Sequence, residues 1–268
     1  METGLAAPTA PTRHPTYYFP DCNVVFMVNN VLYRLSIGTQ TGSSDENPII
    51  VPNISTEEFD HFLDYQLRHL VSKSDEKALT SILKVTHFLQ YDEPQTMAQT
   101  ALEALPNFDL VTKLTLGFRT NIVPWVTTAF TKLALLASDR TLSWLEAEQL
   151  GFGPYRALME TRWEIVAHRR RLAYSFPEMV AHADDCKDNF DCEWGWRTEW
   201  KGKVVLYLIQ PDTPVLGSQV LTLLETTDMR DVNGACRVKM VNTIRRSGIL
   251  AYEDSLIEQA LATLIPPS

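Results

Sequence analysis

Pro48-Ile-Ile-Val-Pro-Asn-Ile-Ser-Thr-Glu-Glu-Phe-Asp-His-Phe-Leu-Asp-Tyr-Gln-Leu-Arg-His-Leu70 is the stretch from which the fold is read. Ile49, Ile50 and Val51 are β-branched and lie between Pro48 and Pro52. Proline is excluded from the interior of a central strand but tolerated at strand ends, so the pattern predicts one short strand with both boundaries marked. Ser55 then supplies an N-cap and Glu58 stands three residues later, the spacing of a capping box. Phe59, Phe62, Leu63, Gln66, Leu67 and Leu70 follow at three- and four-residue intervals, which predicts an amphipathic helix through Leu70. The stretch carries strand, turn and helix signals and no catalytic chemistry.

Toward the N-terminus, Val24–Val28 and Val31–Leu35 have strand composition and are separated by Asn29-Asn30. Asparagine tolerates positive φ, so a two-residue hairpin turn is expected there. Residues 1–19 mix Pro, Ala, Thr and Gly without periodicity and predict a disordered tail, and Ile37–Asn47 predicts an exposed loop. Toward the C-terminus, Glu76–Gln90 repeats apolar residues with helical period, and a helix beginning near Pro94 buries Met97, Ala98, Ala101, Leu102 and Leu105. Past Pro106 the strand signals stop. Phe108–Phe118, Val123–Ala137, Ser143–Leu150 and Pro154–Leu172 all read as helices, as do Gly217–Leu224, Ala235–Ser247 and Glu253–Leu264. Val204–Ile209 fits a strand or a helix end. The expected class is α+β: a three-stranded sheet with packed helices over 20–106, a helical extension over 107–175, and a helical C-terminal region over 176–268.

Composition narrows the function. Of 268 residues, 45% are hydrophobic and 21% charged, an ordinary globular balance, and the net charge is −9. That sign argues against electrostatic capture of nucleic acid or an anionic membrane. Arg169-Arg170-Arg171 reads as a solvated run at a helix C-terminus. No apolar run approaches the ~18 to 20 residues that span a bilayer. The four cysteines and the absence of a secretory pattern at the N-terminus predict reduced thiols in a soluble, intracellular protein, cytoplasmic or nuclear. Phosphate-loop, nucleophile-elbow, dinucleotide and zinc-protease motifs are all missing, and a non-enzymatic role is expected.

Chemistry concentrates in Pro177–Trp200. His182 and Cys186 stand four apart, as on one helix face, Cys192 follows, and distant Cys236 completes a one-imidazole, three-thiolate zinc set. Such a site needs at least three donors within about 4 Å of one another. Without a Cys-x2-Cys pair, buried or free thiols beside packed aromatics is the reading that spacing favours, with zinc the alternative and no other cofactor expected. Phe190, Trp194, Trp196 and Trp200 are read as packing anchors rather than a binding cage, with Trp194 or Trp200 expected against Val204–Leu208. Asp184, Asp185, Asp188, Asp191 and Glu193 lack the spacing of a calcium loop and read as a solvated acidic surface.

The order of elements resembles a BTB/POZ domain of the kind expanded in mushroom-forming fungi. The likeness is carried by the Asn23–Leu35 hairpin, by Gly42-Ser-Ser-Asp-Glu-Asn-Pro-Ile-Ile-Val-Pro, and by Ser55-Thr-Glu-Glu-Phe-Asp-His-Phe-Leu. Ala78–Tyr91, Val123-Pro124-Trp125 and Leu142–Gly151 extend it over most of residues 20–175. The resemblance implies a protein-interaction adaptor or scaffold linked to ubiquitin-ligase or transcriptional complexes, with a cullin or another BTB protein as partner. The helical segment that follows the second strand in that family is shortened here after Leu35. The expected state is therefore a monomer or weak dimer. The alternative is a zinc-stabilised helical protein in which the BTB-like part is degenerate.

Overall fold

The computed structural model describes residues 10–36, 44–72, 74–136, 141–179, 182–209 and 215–265. The class is α+β, and the chain divides into two compact units, Met1–Phe108 and Asp109–Ser268.

In the first unit β2 (Val24–Val28) and β3 (Val31–Leu35) form the expected hairpin, paired from Val28↔Val31 to Val24↔Leu35. Asn29 and Asn30 both take positive φ, 45° and 65°, which a two-residue turn of matching twist requires. β4 (Ile49–Ile50) pairs in parallel with β2, and the Val51 N–H donates to the Met27 carbonyl at 3.0 Å. The sheet has four strands rather than three, in the order β1-β3-β2-β4, with β1 at Thr12–Tyr18. The addition is β1, within the stretch read as a tail, lying parallel to β3. Its sequence hides it: most of its residues face water and Pro15 interrupts it, both features that an edge strand allows. Tyr17 is buried, and the His14 ring stacks on both Tyr17 and Tyr33, which anchors the strand to the core. Residues 1–9 of that tail, and 37–43 of the predicted loop with the start of the Gly42 motif, lie outside the described residues.

α1 (Thr56–Leu63) starts on the predicted capping box, with Ser55 Oγ accepting from the Glu58 N–H and Glu58 accepting from the Ser55 N–H. Phe59, Phe62 and Leu63 enter the core, but the stripe does not run on to Leu70. From Asp64 to Arg68 the helix widens into a π turn, and His69 ends it at φ 53°. The extra residue per turn rotates later positions off the core face, so Leu67 and Leu70 stay exposed. α2 (Glu76–Leu89) and α3 (Asp92–Glu103) complete the unit. Within it Phe19, Phe26, Ile49, Leu67, Phe88 and Tyr91 line an open groove of about 760 Å³.

The second unit is helical: α4 (Leu110–Arg119), α5 (Val123–Leu135), α6 (Trp144–Leu150), α7 (Phe152–Tyr174), α8 (Asn189–Glu199), α9 (Val205–Ile209), α10 (Gly217–Thr226), α11 (Gly234–Ser247) and α12 (Tyr252–Leu264). The 23 residues of α7 run through two cores. Leu158 and Ile165 pack with α4, α5 and Ile257, whereas Leu172 packs with Trp196, Trp200, Leu208 and Met240. Between the cores lies Arg169, which is buried, not solvated as its charge run suggested. It forms a bidentate pair with buried Glu253, at 2.8 Å to each oxygen, and donates to the Leu208 and Val215 carbonyls. Arg170 and Arg171 remain exposed. The ambiguous Val204–Ile209 run is helical, continuing from a π turn at Trp200–Val204. Among the described residues no helix is long and apolar enough to cross a membrane.

Candidate metal centre

Among the described residues between α7 and α8 there is no helix or strand, and two indoles brace the chain there, one on this stretch and one on the last turn of α7. Trp196 Nε1 donates to the Pro177 carbonyl at 2.9 Å, and Trp200 Nε1 donates to the Leu172 carbonyl at 3.3 Å. Both rings are fully buried, with centroids 5.8 Å apart, and Trp200 packs with Val204 and Leu208 as expected. Trp194 and Phe190 point outward and are exposed. The anchors are therefore Trp196 on α8 and Trp200 at the start of the π turn that follows it.

This anchoring brings His182, Cys186, Cys192 and Cys236 together: one donor atom from each lies within 4.8 Å of all the others. His182 and Cys186 do not share a helix face. Cys186 closes a turn with its N–H to the Ala183 carbonyl at 3.0 Å, and His182 directly precedes that turn. Cys192 stands in the first turn of α8, capped by Asp188, and Cys236 in the first turn of α11, capped by Asn233. Two helix N-termini thus lie at Cys192 and Cys236, where the helix dipole favours negative charge against the burial that opposes it. Gly195 makes the approach feasible. A Cβ there would stand 2.9 Å from the Arg230 carbonyl oxygen, so a side chain would push the 230–233 turn away from α8.

His182 Nδ1 is 3.5 Å from Cys186 Sγ and 3.8 Å from Cys236 Sγ. The edges of a tetrahedral zinc site with Zn–S near 2.3 Å and Zn–N near 2.0–2.1 Å come to roughly 3.6 Å for N···S and 3.8 Å for S···S. These two contacts already match, and the widest donor pairs need to close by about 1 Å to complete the tetrahedron. The sulfurs also receive backbone donors: the Ala183 N–H reaches Cys236 Sγ at 3.1 Å, and the Asn233 N–H reaches Cys192 Sγ at 3.4 Å.

Protonation follows from these contacts. Burial pushes the Cys192 thiol up to about 12 and raises that of Cys186. Burial also opposes ionisation of Cys236. There the Ala183 N–H and the His182, Cys186 and Cys192 donors outweigh it, and the pKa falls below the ordinary thiol value. Glu193, hydrogen-bonded to His182 Nε2 at 3.0 Å, raises the pKa of the imidazole.

Sequence spacing identified all four donors but ranked them below ordinary packing. The supporting groups escaped it. Glu193 and Asp188 belong to the acidic set that spacing reads as solvated surface, yet one holds the imidazole and the other caps α8. Asn233 carried no signal beyond its preference for N-caps. Comparison of the chain with protein-family models, with curated proteins and with solved structures finds no match.

Proposed function

We propose that the second unit is a zinc-stabilised, non-catalytic scaffold in which one ion is held by His182, Cys186, Cys192 and Cys236. The observation that carries this reading is the convergence of three of the chain's four cysteines and one histidine within 4.8 Å, from a loop and two helix starts. A set of four protein donors leaves no open position for substrate or water, which is the pattern of structural rather than catalytic zinc. Sulfur-rich donors also favour zinc over magnesium or calcium. The ion would fasten the 175–188 segment and α11 to α8. The test is metal analysis of the full chain purified under reducing conditions. One zinc per chain, and a cobalt derivative with the strong absorption of tetrahedral thiolate ligation, are expected. Less than a tenth of an equivalent after incubation with excess zinc would overturn the reading.

The groove in the first unit supports a second reading, a BTB-like interaction module that acts as an adaptor. Phe19, Ile49, Leu67, Phe88 and Tyr91 are all at least a third exposed around it, and clustered apolar surface of this kind marks protein-binding sites. Affinity purification with mass spectrometry tests this reading. Recovery of a cullin or a BTB protein through wild type but not through Phe88→Asp is the expected result. Equal recovery with both would reject the groove as the contact.

A further inference from the structure

Three groups decide how His182 sits. Its main-chain carbonyl accepts from Lys239 Nζ, on α11, at 2.9 Å. Its Nε2 lies 3.0 Å from Glu193 Oε1, on α8. Its Nδ1 faces Cys186 Sγ and Cys236 Sγ. A carboxylate only accepts hydrogen bonds, so Nε2 must carry the proton, and a neutral ring protonated there has its lone pair at Nδ1. A half-turn of the ring about its bond to Cβ would exchange the two edges, and the Glu193 contact opposes that turn.

We propose that Glu193 is the positioning residue of the centre, fixing the His182 tautomer so that Nδ1 is the fourth zinc donor. The inference deepens the zinc reading and rests on it. A carboxylate that accepts the remote N–H of a ligating imidazole orients the ring and increases its basicity toward the metal. Glu193 is the chain neighbour of Cys192, so α8 delivers a thiolate and the carboxylate that aligns the imidazole as one rigid piece. Zinc with three thiolates carries one net negative charge. The N-termini of α8 and α11 and the Ala183 and Asn233 amides lie on the sulfur side to offset it. Glu193 stands on the opposite edge of the ring, with more than half of its side chain exposed, so replacing it opens no cavity.

The experiment uses the full chain as wild type, Glu193→Ala and Glu193→Gln, with zinc itself as the probe in competition against a chromophoric chelator. Expected for Glu193→Ala is binding weaker by about 10- to 100-fold at unchanged one-to-one stoichiometry. The amide oxygen of Glu193→Gln still accepts a hydrogen bond, so partial recovery is expected. Metal-free wild type and variants should melt at the same temperature, which a merely structural role would not give. Long-range ¹H–¹⁵N correlation of the zinc-loaded wild type should show His182 protonated at Nε2 and metallated at Nδ1. Metallation at Nε2 in wild type, or zinc affinity of Glu193→Ala within twofold of wild type, would overturn the inference while leaving the zinc centre standing. A wild-type chain that takes up no zinc would overturn the reading beneath it.

Discussion

At the residue scale, the four cysteines divide by location rather than by exposure. Cys22 lies in the first unit and lines its groove, whereas Cys186, Cys192 and Cys236 meet at His182. Cys192→Ser is therefore expected to abolish stoichiometric zinc and Cys22→Ser to leave it at one per chain, as read by elemental analysis after desalting. Equal metal content in the two variants would remove the basis for the assigned ligand set. Trp200 makes a separate claim. It is fully buried and its indole N–H is satisfied by the Leu172 carbonyl, so Trp200→Ala should destabilise by about 3 to 5 kcal/mol in a denaturant melt. A loss below about 1 kcal/mol would contradict its place in the core.

At the element scale, α1 shows how a short signal specifies a helix start. Burial works against ionisation of Glu58, but Lys84, the Ser55 N–H and the Ser55 hydroxyl outweigh it and hold the carboxyl below its ordinary range. A carboxyl depressed on folding gives stability that is present above its unfolded pKa, about 4.3, and is lost as the pH falls through the folded value. The stability advantage of wild type over Glu58→Gln should thus be full at pH 6 and shrink below about pH 4.3. Chemical denaturation at several pH values reads it, and a gap that persists at pH 2 would refute the assignment. Ser55→Ala should cost about 1 kcal/mol at neutral pH by the same measurement. The residues that made this element legible are local: a cap, its partner three positions on, and an apolar stripe. β1 was not legible because its stability comes from pairing with β3 and from the rings of His14, Tyr17 and Tyr33, contacts that no periodicity within Thr12–Tyr18 announces. The burial of Arg169 escaped for the same reason, since its partner Glu253 lies 84 residues away. Spacing likewise named the four candidate donors but could not rank them, because their meeting depends on Trp196 and Gly195 rather than on their own intervals.

At the scale of the whole molecule, all six tryptophans fall within the second unit, so indole fluorescence reports that unit alone. With free zinc at about a hundred times its Kd, linkage contributes ~2.7 kcal/mol. For a unit of this size, chelation should then lower the fluorescence-detected Tm by roughly 5 to 11 °C. A Tm that does not move with chelator would mean that no metal is linked to folding of this unit. The separation of the proposed ligands along the chain has a consequence for biosynthesis. His182, Cys186 and Cys192 are polymerised together, but the last donor, Cys236, follows about 44 residues after Cys192. At ~5 to 20 residues per second the ribosome leaves an incomplete set of three donors for about 2 to 9 s. During that interval the nascent chain carries two unprotected thiols beside an imidazole, open to oxidation or to capture of a wrong metal. Zinc supply and reducing power at the moment of translation, more than in the finished protein, would set the fraction of chains that close correctly.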